Sequence, residues 1–217
     1  MKASLCLFAG VALACVPVGA GAQSVLFDFN SGPQFTGTPL DQIVGGVRAH
    51  FDATGSGYSI QNTAQVIGML PTGFTGLGLS PNSVFGSDLL ISFKDAATSN
   101  PLFLSDVSIQ VAPQELACDS SSTMRITAYS GASFVGTNLA VASGDVFTWP
   151  TIDLALASAQ PFDNIVVHFE SGPPTGGDWG GIFVADNLLA TPVPEPAGLV
   201  GLGLGVLAAL RLRRRRR

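Results

Sequence analysis

Residues 165–169 read Ile165-Val166-Val167-His168-Phe169, with apolar side chains at alternate positions. Alternate residues of a strand point to opposite faces, so one set can be buried while the other meets solvent. The same alternation recurs at residues 25–29, 47–51, 89–93, 107–111, 125–129 and 182–189. Turn formers such as Asn30-Ser31-Gly32-Pro33 separate these segments. The chain is therefore predicted to be all-β, with one jelly-roll-like antiparallel β-sandwich over residues 23–190.

Two local patterns refine this prediction. Residues 129–135 predict a hairpin around Ser130-Gly131, and residues 152–159 predict a short helix. Pro150 and Pro161 are expected at sheet edges, because proline cannot donate a ladder hydrogen bond. No internal repeat or second domain is evident.

The N-terminal residues are typical of a secretory signal peptide. Lys2 precedes an apolar run at 5–16, and Ala20-Gly21-Ala22 fits a small-residue cleavage site. We expect residues 1–22 to be removed on export. The alternatives are an N-terminal membrane anchor and a lipoprotein signal that ends at Cys15.

The C-terminal residues predict a membrane anchor. A linker at 191–196 contains Pro194, Glu195 and Pro196, and residues 197–210 carry no charge. A helix over 197–212 would be about 24 Å long, short of a hydrocarbon core of about 30 Å. Long arginine stems at its end can compensate. The arginines at 213–217 are expected in the cytoplasm, which places the domain on the periplasmic side.

The charge is unevenly distributed. The whole chain has a formal charge of −5, but residues 23–196 contain three basic residues (Arg48, Lys94 and Arg125) and all fifteen acidic ones, a formal charge of −12. Such a body repels nucleic acid, so we expect no nucleic-acid partner. Cys118 is the one cysteine outside residues 1–22, so no disulfide within residues 23–217 is possible. A buried thiol is favoured there over a reactive one.

The motif Pro194-Glu195-Pro196, followed by an apolar run and an arginine cluster, resembles the PEP-CTERM sorting tail of Gram-negative bacteria that make exopolysaccharide. This resemblance implies recognition by an exosortase, a membrane protease-transpeptidase that cuts near the motif. The stretches Phe27-Asp28-Phe29 and Asp186-Asn187-Leu188 are similar to the opening and closing strands of domains that precede such tails.

Patterns that would indicate an enzyme are absent from the sequence. His50 and His168 lie in strand patterns, and no serine lies in a nucleophile-elbow motif. Glu115, Asp163, Glu170 and Asp178 show no telling spacing for a glycosidase. We therefore expect no enzymatic activity.

Calcium is the one cofactor that the residues suggest. The first and last strands of a jelly-roll lie close together, so Asp28 and Asp186 could share a structural Ca²⁺ with help from Asn30 or Asn187. The alternative is that both carboxylates simply face solvent.

Carbohydrate is the one ligand that the aromatic residues suggest. Trp149, Trp179, Tyr58 and Tyr129 are the candidates for stacking on sugar rings. Trp179 lies in a glycine-rich stretch that could present it outward. Alternatively, both tryptophans fill the core.

Together these features indicate an exported, non-enzymatic protein of the cell surface or extracellular matrix. An inner-membrane helix would hold it until an exosortase processes it, and exopolysaccharide is a candidate partner. The alternative function is a carbohydrate-binding module delivered by the same route.

Overall fold

A computed structural model of the chain describes residues 23–67, 70–113, 122–142, 151–172 and 181–194. These residues form two antiparallel six-stranded sheets that pack face to face, as the sequence predicted. The sandwich belongs to one compact unit over residues 22–193. Most strands that are neighbours in a sheet are far apart in the sequence, so the fold depends on long-range pairing.

Sheet A has the order β10-β7-β12-β5-β4, and β1 pairs with the second half of β12. Its strands are β1 (Val25–Phe27), β4 (Tyr58–Asn62), β5 (Leu77–Pro81), β7 (Leu104–Pro113), β10 (Ile152–Phe162) and β12 (Phe183–Pro192). A short helix, α1 (Thr63–Ile67), follows β4. Strand β12 ends two residues beyond the predicted limit of the domain at residue 190.

Sheet B has the order β2-β3-β6-β11-β8-β9. Its strands are β2 (Leu40–Val44), β3 (Val47–Ala53), β6 (Leu89–Asp95), β8 (Thr123–Ser130), β9 (Ser133–Val141) and β11 (Asn164–Ser171). Strands β8 and β9 form the predicted hairpin, with Gly131 and Ala132 in its turn. The turn places Gly131 at a φ of 58°, which glycine adopts without strain.

The predicted helix at 152–159 is wrong, because this segment is part of β10. Its alanine and leucine content suggested a helix, but Ile152, Leu154 and Leu156 alternate with exposed residues. Because every second residue of this segment is buried, it forms a strand and not a helix. Because β10 is an edge strand, it accommodates Pro161, as expected.

The core lies between the sheets and is rich in aromatic residues. Phe29 and Phe51 pack edge to face with ring centroids 5.1 Å apart, and Tyr58 packs on Phe183 at 5.3 Å. All four side chains are fully buried. Phe29 also has a φ of 57°, which ends β1 two residues earlier than predicted.

The outer face of sheet A is partly covered by the segment before β5. Phe74 of this segment is buried against Ala112 and Val184, which point outward from β7 and β12. The backbone N–H of Thr75 donates to Asp186 of β12. Residues 70–76 therefore cap part of this face with an apolar contact and a hydrogen bond.

Several predicted features fall outside the described residues. They are the signal peptide at 1–22, Cys118, Pro150, the helix at 197–212 and the arginines at 213–217. Where the structure is described, it contains no helix long and apolar enough to cross a membrane.

Candidate functional site

The outer face of sheet B, called the open face below, carries a line of polar and aromatic side chains. Strand pairing places six residues directly opposite one another across all six strands. This central row consists of Asp41, His50, Ser92, Asn164, Tyr129 and Phe134. Neighbouring strands lie about 4.8 Å apart, so the row extends about 24 Å across the sheet.

A shallow groove of about 250 Å³ follows the middle of this row. Its polar lining comes from His50, Asp52, Ser92 and Asn164. Its floor includes Leu90 and Val166, which oppose each other on β6 and β11. The groove thus combines an apolar floor with polar groups along its length, as ligand sites commonly do.

Hydrogen bonds hold several of these side chains in place. Asp41 and His50 are joined at 2.6 Å between Oδ1 and Nδ1, so the imidazole donates to the carboxylate. Asn164 uses both protons of its amide, one on the Gly131 carbonyl at 3.0 Å and one on Asp163 at 2.8 Å. The ring and the amide are therefore fixed before any ligand arrives.

Other polar atoms of the groove side chains form no hydrogen bond with the described residues. Within the described residues, His50 Nε2, Ser92 Oγ and Asn164 Oδ1 make no hydrogen bond. The Asp52 Oδ1 atom accepts from the Ala53 N–H, which leaves Oδ2 unused. The groove therefore offers a row of available donors and acceptors on an ordered framework.

The far end of the central row is aromatic. Tyr129 and Phe134 meet edge to face at 6.3 Å, and Phe134 is 63% exposed. Tyr129 is half-buried and lies directly opposite Asn164. This pair offers an apolar surface beside the polar groove.

Asp41, His50 and Ser92 are aligned across three strands in the order of a nucleophilic triad. Acyl transfer also needs donors for a developing oxyanion. The described residues supply none at Ser92, because the Asn164 amide protons are occupied and β6 is paired with strands on both sides. The unused atoms of this row are available for hydrogen bonds to a ligand.

The structure describes one of the three other aromatic residues predicted to stack on sugars, and it is buried. Tyr58 is fully buried, and its hydroxyl donates to the Ser87 carbonyl at 2.7 Å, so its prediction as an exposed stacking residue is wrong. Burial raises the pKa of Tyr58 well above its ordinary value, with a smaller contribution from the Asp88 charge. Trp149 and Trp179 lie outside the described residues, as do Glu115 and Asp178.

Asp163 and Glu170, the two described candidates for a glycosidase carboxylate pair, do not face each other across a cleft. Glu170 lies 3.1 Å from Arg125 in an ion pair, and Asp163 accepts from the Gly131 N–H at 2.7 Å. His168 is bound through Nδ1 to Asp88 at 2.5 Å. Each of these groups has a local structural partner.

The residues predicted to hold calcium lie within sheet A, beside its central strand β12, which pairs with β7 on one side and with β1 and β5 on the other. Asp28 follows β1, which pairs with the β12 segment just after Asp186. Asp186 is fully buried and accepts from the N–H groups of Asn187 at 2.8 Å and Thr75 at 3.3 Å. Burial raises the pKa of Asp186 to about 7, and the nearby Asp28 charge contributes to this rise.

Asn30 and Asn187, which were expected to assist in binding calcium, instead form hydrogen bonds within the protein. Asn30 accepts from the Leu77 N–H at 2.9 Å, and Asn187 donates to the Gly73 carbonyl and to Gln110. No group of three or more His, Cys, Asp or Glu side chains suitable for a metal occurs in the described part of the chain. Any cation between Asp28 and Asp186 would need the two carboxylates together with carbonyl oxygens.

Of the sorting motif, Pro194 is described and exposed after β12, while Glu195 and Pro196 lie outside the described residues. The Val193 N–H donates to the Phe103 carbonyl at 2.9 Å, which fixes the chain immediately before the motif.

No protein-family model matches this chain, and no curated protein matches it. Among solved structures, an arabinose-bound GH51 α-L-arabinofuranosidase matches with a TM-score of 0.46 and 13% identity, over 81% of this chain and 27% of the enzyme. The K1 cleaved adhesin domain of Lys-gingipain from Porphyromonas gingivalis W83 gives 0.42 and 14%, over 78% and 98%. A family 6 carbohydrate-binding module gives 0.35 and 13%, over 65% and 87%. The fold assignment rests on the strand pairing described above.

Proposed function

We propose that the jelly-roll-like domain is a non-enzymatic carbohydrate-binding module and that the open face is its binding surface. The observation that carries this proposal is the central row, in which unused polar atoms adjoin a pair of aromatic side chains, half-buried Tyr129 and exposed Phe134. A sugar presents hydroxyl groups that both donate and accept, together with an apolar ring face. The groove and the Tyr129–Phe134 pair match these two requirements.

The positions of the unused atoms support an extended ligand. His50, Ser92 and Asn164 lie on successive strands, so their free atoms follow one line across the sheet. Because the groove is shallow and open at the surface, a chain can pass across it without its ends being enclosed. We therefore propose a polysaccharide rather than a free monosaccharide as the ligand.

The test is electrophoresis of the full-length protein, in detergent, through gels cast with the producing bacterium's own exopolysaccharide. Tyr129→Ala and Phe134→Ala should each reduce the retardation, since stacking contacts contribute about 1 kcal/mol or more. Leu189→Ala is the matched control, because Leu189 is an exposed apolar residue on sheet A. If the unaltered protein is not retarded, this ligand is excluded. A loss confined to Trp179→Ala would move the site away from the open face.

We further propose that the protein is exported and reaches the cell surface or matrix through the PEP-CTERM route. Support comes from the signal-like residues 1–22, the Pro194-Glu195-Pro196 motif and the arginine-flanked apolar run. In this proposal an exosortase is the processing partner and the inner membrane holds the precursor. Mass spectrometry of the protein from cells with and without the exosortase tests this step. An intact tail in both samples would contradict it.

Asp28 and Asp186 support a second, structural proposal. A buried carboxylate beside another carboxylate is costly when ionised. A bound Ca²⁺ would offset that cost with the oxygen ligands that it prefers. We propose Ca²⁺ as a stabilising ion between Asp28 and Asp186, with protonation of Asp186 as the alternative.

A further inference from the structure

Every basic side chain of residues 23–194 lies on the open face. Pairing and burial place all five on outward positions of sheet B: Arg48, His50, Lys94, Arg125 and His168. By contrast, the described acidic residues of sheet A and its adjoining segment are Asp28, Asp106, Asp153 and Asp186, without a base among them. The described basic side chains are therefore all on the outer face of sheet B, and the described charged side chains of sheet A are all acidic.

Three of the five bases already have a carboxylate partner. His50 is bound to Asp41, His168 to Asp88 and Arg125 to Glu170. Lys94 forms no ion pair with any described residue. The adjacent carboxylate of Asp95 is directed to the following turn, where one oxygen accepts from Ala97 and from Thr98.

Arg48 is incompletely satisfied as well. Its Nη1 is 3.9 Å from an Asp41 oxygen, at the limit of an ion pair, and Asp41 is already shared with His50. Its Nε is buried and makes no hydrogen bond. Strand pairing puts Arg48 directly opposite Lys94, so two incompletely paired cations face each other on neighbouring strands.

We infer that the ligand of the open face is an acidic polysaccharide that contains uronic acids, and that a ligand carboxylate binds between Arg48 and Lys94. The inference rests on the proposed carbohydrate-binding function. Arg48 and Lys94 lie two residues from His50 and Ser92 on the same strands, about 7 Å along the sheet. One sugar residue can therefore reach both sites, with hydroxyls on the groove and its carboxylate on the cations.

The charge of the body limits which polyanion can bind. At a formal charge of −12, residues 23–196 repel a dense polyanion at long range, and Asp41 and Asp52 line the same groove. A polysaccharide presents carboxylates singly, separated by neutral ring atoms and hydroxyls. The two available cations therefore suit a uronate better than a phosphodiester chain.

Matched polymers test this inference directly. The full-length protein in detergent is run through gels cast with alginate, polygalacturonate or hyaluronan, and with the carboxyl-reduced form of each. Carboxyl reduction converts each uronate into a neutral hexose and leaves the chain otherwise the same. We expect at least one uronate polymer to bind about tenfold more tightly than its reduced form, since hydrogen bonds to charged groups are strong.

Lys94→Gln should weaken binding to that uronate about fivefold and leave binding to the reduced polymer unchanged. Arg125→Gln is the control, because Arg125 is on the same face but pairs with Glu170. Equal binding of both polymer forms, or a Lys94→Gln protein that behaves like the unaltered one, overturns the uronate assignment and leaves carbohydrate binding intact. Failure to bind any of these polymers overturns the uronate assignment, and failure to bind the producing bacterium's own exopolysaccharide as well overturns both.

Discussion

The two outer faces of the sandwich arise from the same alternation of residues but have opposite surroundings. On sheet A, the segment 70–76 covers Ala112 and Val184 with Phe74, and it closes over the buried Asp186. On sheet B, the described residues leave the central row uncovered, with Phe134 exposed at its end. An outward-facing position can thus be structural on one sheet and available to a ligand on the other.

The largest loss of stability is expected from a substitution in segment 70–76, which covers part of sheet A. Phe74→Ala should lower the free energy of unfolding by about 3–5 kcal/mol, because it removes a buried aromatic side chain. Phe134→Ala, the same change on the open face, should cost less than about 0.5 kcal/mol. Urea denaturation of both full-length proteins in detergent measures the difference. Similar losses in both variants would mean that the faces are equally covered.

The next effect concerns the buried carboxylate of sheet A. The pKa of Asp186 is raised to about 7, so between about pH 4 and pH 7 the folded protein retains a proton that the unfolded chain loses. Its free energy of unfolding should therefore fall as the pH rises through this range, by about 2–4 kcal/mol from this group. Asp186→Asn, an uncharged replacement, should remove that part of the slope.

Asp153→Asn is the control for this measurement, since Asp153 is exposed on the same face and binds Gln110. Urea denaturation of the full-length proteins at several pH values gives the slopes. If Asp186→Asn has the pH dependence of the unaltered protein, the protonation of this buried group does not influence stability.

A smaller gain in stability is expected from calcium bound between Asp28 and Asp186. At pH 8, where Asp186 ionises, 1 mM Ca²⁺ should raise the free energy of unfolding by about 1–3 kcal/mol if the site is occupied. Asp28→Asn should abolish the increase, whereas Asp153→Asn should retain it. Thermal denaturation with calcium and with chelator measures this. An unchanged midpoint in the unaltered protein leaves protonation as the way in which Asp186 is accommodated.

The sequence was sufficient to predict the β-sandwich but not the central row of its open face. Alternation at 47–51, 89–93 and 165–169 predicted strands because one face of each is buried. It failed at β10, where alanine and leucine fit either a helix or a strand, and only burial distinguishes the two. The proximity of Asp28 and Asp186 was foreseeable, because the first and last strands were expected to be neighbours and are paired.

The central row could not be predicted. His50, Ser92 and Asn164 are more than forty residues apart in sequence, and only the register of β3, β6 and β11 aligns them. A shift of one residue in any of these strands would turn its member of the row into the core. One hint was present, since four of the five basic residues of the domain fall in the predicted strand patterns and Lys94 directly follows one. The face that they share depends on the strand register.

The proposed binding surface is tested most directly by a nuclear magnetic resonance titration of the full-length protein, in detergent, with oligosaccharide fragments of the producing bacterium's exopolysaccharide. Side-chain resonances of His50, Asn164 and Tyr129 report on the open face, and those of Gln110 and Asn187 report on sheet A. We predict ligand-induced shifts in the first set and none in the second. Shifts confined to the second set would contradict the assignment of the open face as the binding surface.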